Sequence, residues 1–267
     1  MKTTLATMIS FLFFVNGIMA QHSLPENFKI EKYINTFNID SVFPNGSAGW
    51  SYWYFAPNVA DTLSIKTSRI FLKDAPHPPH SHPADELFFI VQGPAIFHLN
   101  GEERVVQTGD VYYCPSFSTH TIKRAGEGPI QYYIMTREAR GATKGFEVGN
   151  KNYTINDCIF YADKDLSWIN TEEKASVVAL DEKFSGGMRL VMHRITSKDK
   201  TYNTEKPYTA EQEVFYIISG EADITLNGQK SHIGPNTAFW APKGTKRSVI
   251  QTGQSPLVYL QCTTHLY

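Results

Sequence analysis

A segment in the first half of the chain returns in the second half, and this internal repeat limits the fold more than any other feature. Residues 86–93 (ELFFIVQG) align with residues 213–220 (EVFYIISG), and the register then holds without a gap for about thirty-five positions. An Asn-Gly pair lies at the matching places, Asn100-Gly101 and Asn227-Gly228, between strand-like runs. Tight hairpin turns need residues that tolerate a positive φ. The repeat therefore predicts two copies of one antiparallel meander.

Short apolar or alternating runs, separated by Gly, Pro, Asn and Asp, recur through both copies and are typical of β sandwiches and barrels. An aromatic share of 13%, mainly from 17 Phe and 14 Tyr, also favours strands. The 267 residues are enough for two domains that each bury a core. We predict an all-β fold with an N-terminal domain over residues 21–145 and a C-terminal domain over 146–267. The predicted strands cover residues 50–56, 68–72, 86–91, 95–99, 188–193, 213–218, 222–226, 237–241 and 257–262.

A polar stretch over residues 141–152 is the predicted linker between the two copies. Residues 23–67 are expected to supply the first strands of copy one, and residues 153–187 those of copy two. Each copy would then be built from its own half of the chain.

Residues 1–20 have the pattern of a signal peptide, with Lys2 at the start, an apolar run over 5–15 and Ala20 at the expected cleavage point. The run is shorter than the roughly 20 residues of a membrane-spanning helix, so a retained anchor is the weaker interpretation. We expect a secreted or periplasmic protein that has no membrane partner after cleavage. The cysteines Cys114, Cys158 and Cys262 form no dense framework, which favours buried thiols over a required disulfide.

The charge balance argues against a nucleic-acid partner. The chain has 25 basic and 26 acidic residues and a net charge of −1, so it lacks the broad positive field that such partners require. The expected partner is a small-molecule substrate, and a homodimer is left open.

Three histidines and a glutamate in copy one form a candidate metal site. His80 and His82 are two residues apart, so their rings project from one face if the segment is extended, and Glu86 follows after a short bend. His120 comes from a later strand. Three imidazoles and a carboxylate suit a first-row divalent metal with open coordination positions, which is the arrangement of a catalytic site.

The spacing of these residues resembles a known family. His80-x-His82-x3-Glu86-x6-Gly93 is similar to the first cupin motif, and Gly109-x5-Pro115-x4-His120 to the second. The chain thus resembles a bicupin, which implies two tandem jelly-roll barrels. The resemblance also implies one divalent transition metal per chain (Mn, Fe, Cu, Ni or Zn) on His80, His82, Glu86 and His120. One departure is Phe117, where the family usually has Gly, and its bulk is expected to narrow the mouth of the site.

The second copy has lost three of the four ligand positions. Glu213 corresponds to Glu86, but Pro207, Thr209 and Arg247 stand where His80, His82 and His120 stand in copy one. A guanidinium has no lone pair to donate to a metal, so Arg247 is expected to pair with Glu213. Copy two is then either structural or a pocket in which Arg247 meets an anionic ligand.

The cupin resemblance leaves the reaction open, because this fold hosts many activities. The leading hypothesis is a dioxygenase for a small aromatic or enolic substrate, and the exported fungal quercetin dioxygenases are similar in having metal only in the first barrel. Glu86 and Tyr113 are the expected catalytic residues, with Tyr113 as a proton donor or base. The alternatives are a metal-dependent lyase or isomerase for a small acidic sugar or carboxylate, and a non-catalytic metal- or sugar-binding module.

Overall fold

The computed structural model describes residues 27–44, 49–56, 63–72, 75–137, 153–160, 169–170, 174–196, 201–204 and 212–264. The predicted signal peptide, the predicted linker over 141–152, Pro207 and Thr209 lie outside the described residues. No helix in the described ranges is long and apolar enough to cross a membrane.

The described elements are almost all strands, in agreement with the predicted all-β fold. The strands of the first half are β1 (Ile34–Thr36), β2 (Phe43–Pro44), β3 (Gly49–Phe55), β4 (Leu63–Ile70), β5 (Asp85–Gln92), β6 (Ala95–Leu99), β7 (Glu102–Val106), β8 (Val111–Cys114), β9 (His120–Arg124) and β10 (Ile130–Arg137). Those of the second half are β11 (Ile159–Phe160), β12 (Ile169–Asn170), β13 (Lys174–Leu180), β14 (Met188–Ile195), β15 (Thr201–Thr204), β16 (Gln212–Ser219), β17 (Ala222–Leu226), β18 (Gln229–Ile233), β19 (Thr237–Pro242), β20 (Arg247–Gln251) and β21 (Leu257–Thr264). The helical turns are 3₁₀ helices at Ile30–Tyr33, Ile39–Ser41 and Ile155–Cys158 and the short α1 (Glu182–Ser185).

The strands form two jelly-roll barrels, each made of a large and a small antiparallel sheet. Barrel one combines the order β11-β8-β5-β10-β4-β3-β2 with β7-β6-β9. Barrel two combines β1-β19-β16-β21-β14-β13-β12 with β15-β20-β17-β18. The two large sheets therefore have the same order of equivalent strands.

The repeat seen in the sequence is confirmed in the structure and extends further than the sequence alignment reached. Strands β5 to β10 and β16 to β21 correspond at a constant offset of 127 residues. The turn residues correspond as well: Asn100 and Asn227 have φ values of 50° and 48°, and Gly101 and Gly228 have 90° and 83°. Each Asn-Gly pair makes the predicted hairpin turn.

Each barrel receives one short strand from the other half of the chain. The N-terminal strand β1 pairs with β19 of barrel two, and β11 pairs with β8 of barrel one. Ile30, just before β1, is buried in the core of barrel two. Residues 23–67 supply β2 and β3 to barrel one, as expected, but the first described strand, β1, crosses to the second barrel.

Alternation along the strands separates the barrel interior from the interface between the barrels. In barrel one, Phe88 of β5 stacks on Tyr112, and Tyr112 stacks on Phe97 of the opposite sheet. The other face of this large sheet packs against barrel two, where the ring centroids of Tyr133 and Tyr216 lie 3.8 Å apart. One apolar cluster thus runs from the interior of barrel one into the interface, while barrel two has an interior cluster of its own.

A buried ion pair between Asp85 and Arg137 belongs to this interface. Both side chains are 2% exposed, and Arg137 also donates to the backbone carbonyls of Gly186 and Ser185 at the C-terminal end of α1. Asp85 additionally accepts hydrogen bonds from the Ser116 amide and hydroxyl. Asp85 points away from the histidines but not toward solvent, and it binds Arg137, whose hydrogen bonds to Gly186 and Ser185 connect barrel one to barrel two. The three cysteines are free and buried.

Candidate metal centre

The backbone brings the two histidine segments of barrel one together. His80 and His120 form an isolated antiparallel bridge, in which each amide donates to the carbonyl of the other, at 3.1 and 2.9 Å. His82 follows outside any strand, and its carbonyl accepts from the Phe117 amide at 2.8 Å. The expectation that His80 and His82 lie on a regular strand is too simple. A single bridge and a turn suffice to place their rings together.

Three imidazoles converge at this point. One ring nitrogen from each of His80, His82 and His120 lies within 4.8 Å of the others, a spacing at which one ion can bind all three. The side chain of His120 is 3% exposed and that of His82 is 26% exposed. The cluster is therefore buried on one side and open on the other.

Backbone carbonyls fix the orientation of two of the rings. Nδ1 of His82 lies 3.1 Å from the Ala84 carbonyl oxygen, and Nδ1 of His120 lies 2.8 Å from the Ser118 carbonyl oxygen. A carbonyl oxygen only accepts, so Nδ1–H donates in both rings and Nε2 is the nitrogen that turns toward the cluster. This is the second-sphere arrangement expected of metal-binding imidazoles.

Glu86 completes the group from β5. Its Oε2 lies 3.1 Å from Nε2 of His120 and its Oε1 lies 3.6 Å from Nε2 of His82, while the Thr136 hydroxyl donates to Oε1 at 3.3 Å. Burial by itself would raise the pKa of the Glu86 carboxyl, but His120 and His82, which hydrogen-bond it when a second proton occupies their Nε2, outweigh burial and hold the pKa well below its usual range. Glu86 is thus an anion beside three imidazoles.

The donor set fits a divalent transition metal. Burial and the neighbouring imidazoles lower the pKa of His80, which favours the neutral ring that metal binding requires. Its Nδ1 is buried and has no hydrogen-bond partner among the described residues, and an orphaned buried nitrogen costs free energy that a bound ligand removes. The four residues named from the sequence therefore lie together as a coherent N₃O donor set.

The structure corrects the expected role of Tyr113. Tyr113 of β8 is paired with Leu87 of β5, which points to the opposite side of the sheet from the inward Phe88. Tyr113 therefore lies on the outer face of barrel one, where its hydroxyl donates to the Ser185 carbonyl at 3.0 Å. The inward tyrosine of β8 is Tyr112, which pairs with Phe88. Burial raises the pKa of Tyr112 well above its usual value, so its hydroxyl stays protonated. Tyr113 belongs to the contact between the barrels, and Tyr112 replaces it as the tyrosine facing the site.

Phe117 adopts a left-handed backbone conformation in the turn that leads to His120. Its φ is 63°, and the equivalent residue of barrel two is Gly244 with a φ of 78°. The Phe117 side chain is largely exposed, at 61%. The ring thus lies at the rim of the turn, and the backbone amide is the part that contacts a histidine segment.

The sequence analysis did not identify a lysine that lies inside barrel one. Lys66 lies on β4 between the inward residues Ser64 and Ser68, and its ammonium lies 5.0 Å from the centroid of the Trp53 ring. Burial lowers the pKa of Lys66, and the Glu86 carboxylate partly opposes this shift. The signal available in the sequence was a single charge at an inward position of an otherwise uncharged stretch from Leu63 to Ser68.

Barrel two has an ion pair where barrel one has its donors. Arg247 and Glu213 are in direct contact, with side chains 3% and 2% exposed, which confirms the predicted pairing. Gln261 donates to Glu213 Oε1 at 2.6 Å, and His193 bonds Gln261 Oε1 at 2.8 Å. Burial raises the pKa of Glu213 to about 7, against the opposing effect of Arg247. In the described part of the chain, histidine clusters of metal-binding geometry occur only in barrel one.

Comparison with known proteins agrees with this architecture. The family model described as "Cupin domain" matches residues 70–136 and again residues 201–262. Among solved structures, a serine-to-alanine variant of oxalate decarboxylase from Bacillus subtilis superposes with a TM-score of 0.68 over 88% of this chain and 78% of that chain, at 15% identity. The same enzyme at pH 4.6 gives a TM-score of 0.68 over 87% and 76%, also at 15% identity. At this identity the likeness concerns the fold.

Two further comparisons mention ligands of the similar proteins. A curated oxalate-binding protein from Thermotoga maritima is 28% identical over 57 residues, which are 21% of this chain and 47% of that protein. The match thus spans about half the length of this relative. Another structure of the Bacillus subtilis decarboxylase, with a TM-score of 0.67 and 15% identity over 88% of this chain and 78% of that one, is described by its Mn(II) centers.

Proposed function

Because this chain belongs to the cupin superfamily as a bicupin, we propose that it is a metal-dependent enzyme whose reaction takes place in barrel one. The observation that carries the proposal is the convergence of His80, His82 and His120 around the Glu86 carboxylate. The equivalent position of barrel two is closed by the Arg247–Glu213 pair. We propose one metal and one reaction centre per chain.

The residues of barrel one would have separate roles in binding the metal, orienting its ligands and excluding water. His80, His82, His120 and Glu86 would hold the ion, which when bound supplies Lewis acidity and, for a redox-active metal, electrons. The carbonyls of Ala84 and Ser118 orient two of the rings, and the Thr136 hydroxyl orients Glu86. Phe88 and Tyr112 shield the interior from water. Glu86, as the carboxylate of the group, is also the residue able to accept a proton there.

Two reaction classes are supported by different observations. The aromatic lining from Trp53, Phe88 and Tyr112 favours the dioxygenation of a small aromatic or enolic compound. The names of the similar proteins favour oxalate or another small carboxylic acid as the ligand, and the name of the decarboxylase favours a decarboxylation. In both classes the substrate would offer oxygen atoms to the metal.

Metal analysis followed by a short substrate panel tests the proposal. We expect one equivalent of a divalent transition metal in the purified protein, and turnover of at least one compound that is lost in His120→Ala. Uptake of O₂ with a flavonol or catechol would identify the dioxygenase, and CO₂ release from oxalate would identify the second class. A protein that takes up none of Mn, Fe, Cu, Ni or Zn would overturn the proposal.

A further inference from the structure

We propose that Lys66 is a ligand-binding residue of barrel one and that it restricts the substrate to small anions that carry a carboxylate. This inference rests on the proposed function, because it concerns the ligand of the same site. It adds the chemical class of the substrate, which the histidine cluster alone does not define.

The strand register places Lys66 on the same inner surface as Glu86. Lys66 is paired with Ile134 on β10, and Ile134 is paired with Phe88 on β5, two residues from Glu86. Cross-strand partners point to the same side of a sheet, and Phe88 points into the barrel. The Lys66 and Phe88 backbones are two strand spacings apart, which is about 10 Å. The long lysine side chain brings its ammonium closer to Glu86 than the backbone separation alone would allow. Lys66 therefore directs a cation into the cavity that contains the metal ligands.

Trp53 holds this cation in place without neutralising it. The two residues are cross-strand partners on β3 and β4, and the ammonium lies over the indole ring. Among the residues that the structure describes, none forms a hydrogen bond or an ion pair with the Lys66 ammonium. A half-buried ammonium that is oriented by a ring and lacks an anionic partner is prepared to bind an anion.

The charge of the loaded site leads to the same class of ligand. A divalent ion with three neutral imidazoles and the Glu86 carboxylate has a charge of about +1, and Lys66 adds another positive charge. A small dicarboxylate would neutralise this excess, whereas a neutral ligand would leave two buried positive charges facing each other.

Barrel two provides an internal contrast. The residue that corresponds to Lys66 there is Val191, which is paired with Gln261 just as Lys66 is paired with Ile134. At this position, therefore, a cation is present in the barrel with the histidine cluster and absent from the barrel with the ion pair.

Calorimetric titration of the Mn(II)-loaded protein with oxalate, and with the neutral oxamide of similar size, tests the inference. Lys66→Met keeps the length of the stem but removes the charge. We expect it to bind one equivalent of Mn(II) like the wild type and to lose oxalate affinity by about tenfold or more, as for the removal of a charge-assisted hydrogen bond. Its affinity for oxamide should not change, and Lys66→Arg should retain most of the oxalate affinity.

Arg69→Met is the matched control, since Arg69 is on the same strand with the opposite side-chain direction and undergoes the same change of charge. It should bind oxalate like the wild type. Equal oxalate affinity in Lys66→Met and the wild type, or a wild type that binds Mn(II) but no small carboxylate, would overturn the inference and leave the proposed metal site intact. A wild type that takes up no Mn(II) or other divalent metal would overturn the proposed function itself.

Discussion

Arg247 forms an ion pair with Glu213 inside barrel two, at the two positions that belong to His120 and Glu86 in barrel one. The carboxylate is common to both barrels, and the residue opposite it decides what the carboxylate does. An imidazole leaves a lone pair for a metal, whereas a guanidinium donates hydrogen bonds and brings a permanent charge. The exchange of His120 for Arg247, together with Pro207 and Thr209 at the positions of His80 and His82, thus separates a candidate metal centre from a closed polar network.

The first prediction concerns metal stoichiometry. The protein should bind one equivalent of divalent metal per chain, because Glu213 alone is a weak ligand and Arg247 repels a cation. His80→Ala should reduce the content to near zero while the far-ultraviolet circular dichroism stays that of a β protein. Elemental analysis of the pure protein measures both values.

His193→Ala is the matched control for this experiment, since it removes a buried imidazole from barrel two, where the ring bonds Gln261. It should leave the metal content at one equivalent. A second equivalent that survives in His80→Ala but not in His193→Ala would mean that barrel two binds metal as well.

The second prediction concerns the loss of unfolding free energy when one partner of the Arg247–Glu213 pair is removed. Arg247→Met leaves a buried carboxylate without its partner and should destabilise the protein by about 3 kcal/mol at pH 8. The double change Arg247→Met with Glu213→Leu removes both charges and should lie within about 1 kcal/mol of the wild type. Urea unfolding of metal-free protein measures both values, and a double variant as unstable as the single one would show that the pair itself stabilises barrel two.

The third prediction is a pH dependence that originates in Glu213. Its pKa in the folded protein is about 7, above the value of about 4.3 in an unfolded chain. A raised pKa stabilises the fold below pH 4.3, and this contribution, up to about 4 kcal/mol, is lost as the pH rises through 7. The wild type should therefore lose stability relative to the Glu213→Leu/Arg247→Met variant between pH 5 and pH 8. A difference between the two proteins that does not vary with pH would contradict this assignment.

The repeat made most of the fold accessible from the sequence. Both copies need the same hairpin turns, so the Asn-Gly pairs recur at a constant offset of 127 residues. This offset allowed β5 to β10 to be matched with their counterparts. The exchange of β1 and β11 could not be predicted. These strands have only three and two residues, and so short a run contains no periodicity that distinguishes one sheet edge from another.

The site was predictable where spacing defines it and not where register does. The four candidate metal ligands follow from motif positions, whereas the choice between Tyr112 and Tyr113 depends on which of them is opposite Phe88 on the neighbouring strand. A shift of one residue reverses every side chain of a strand. Lys66 was missed for a related reason, because its direction is set by pairing with Ile134, a residue nearly seventy positions away.

The last prediction concerns Phe117, whose left-handed backbone is adopted by Gly244 in the equivalent turn of barrel two. A side chain at such a φ costs about 1 kcal/mol, and the exposed phenyl ring recovers little of it by packing. Phe117→Gly should therefore stabilise the protein by about 0.5 kcal/mol after the entropy of the added glycine is subtracted. Metal content should not change, because the amide that donates to the His82 carbonyl is retained. Gly244→Ala is the reverse control: its Cβ would meet open space, so a loss of about 1 kcal/mol would report the backbone alone. If Phe117→Gly is instead destabilising in urea unfolding, the ring contributes contacts at the rim of the site that outweigh the backbone strain.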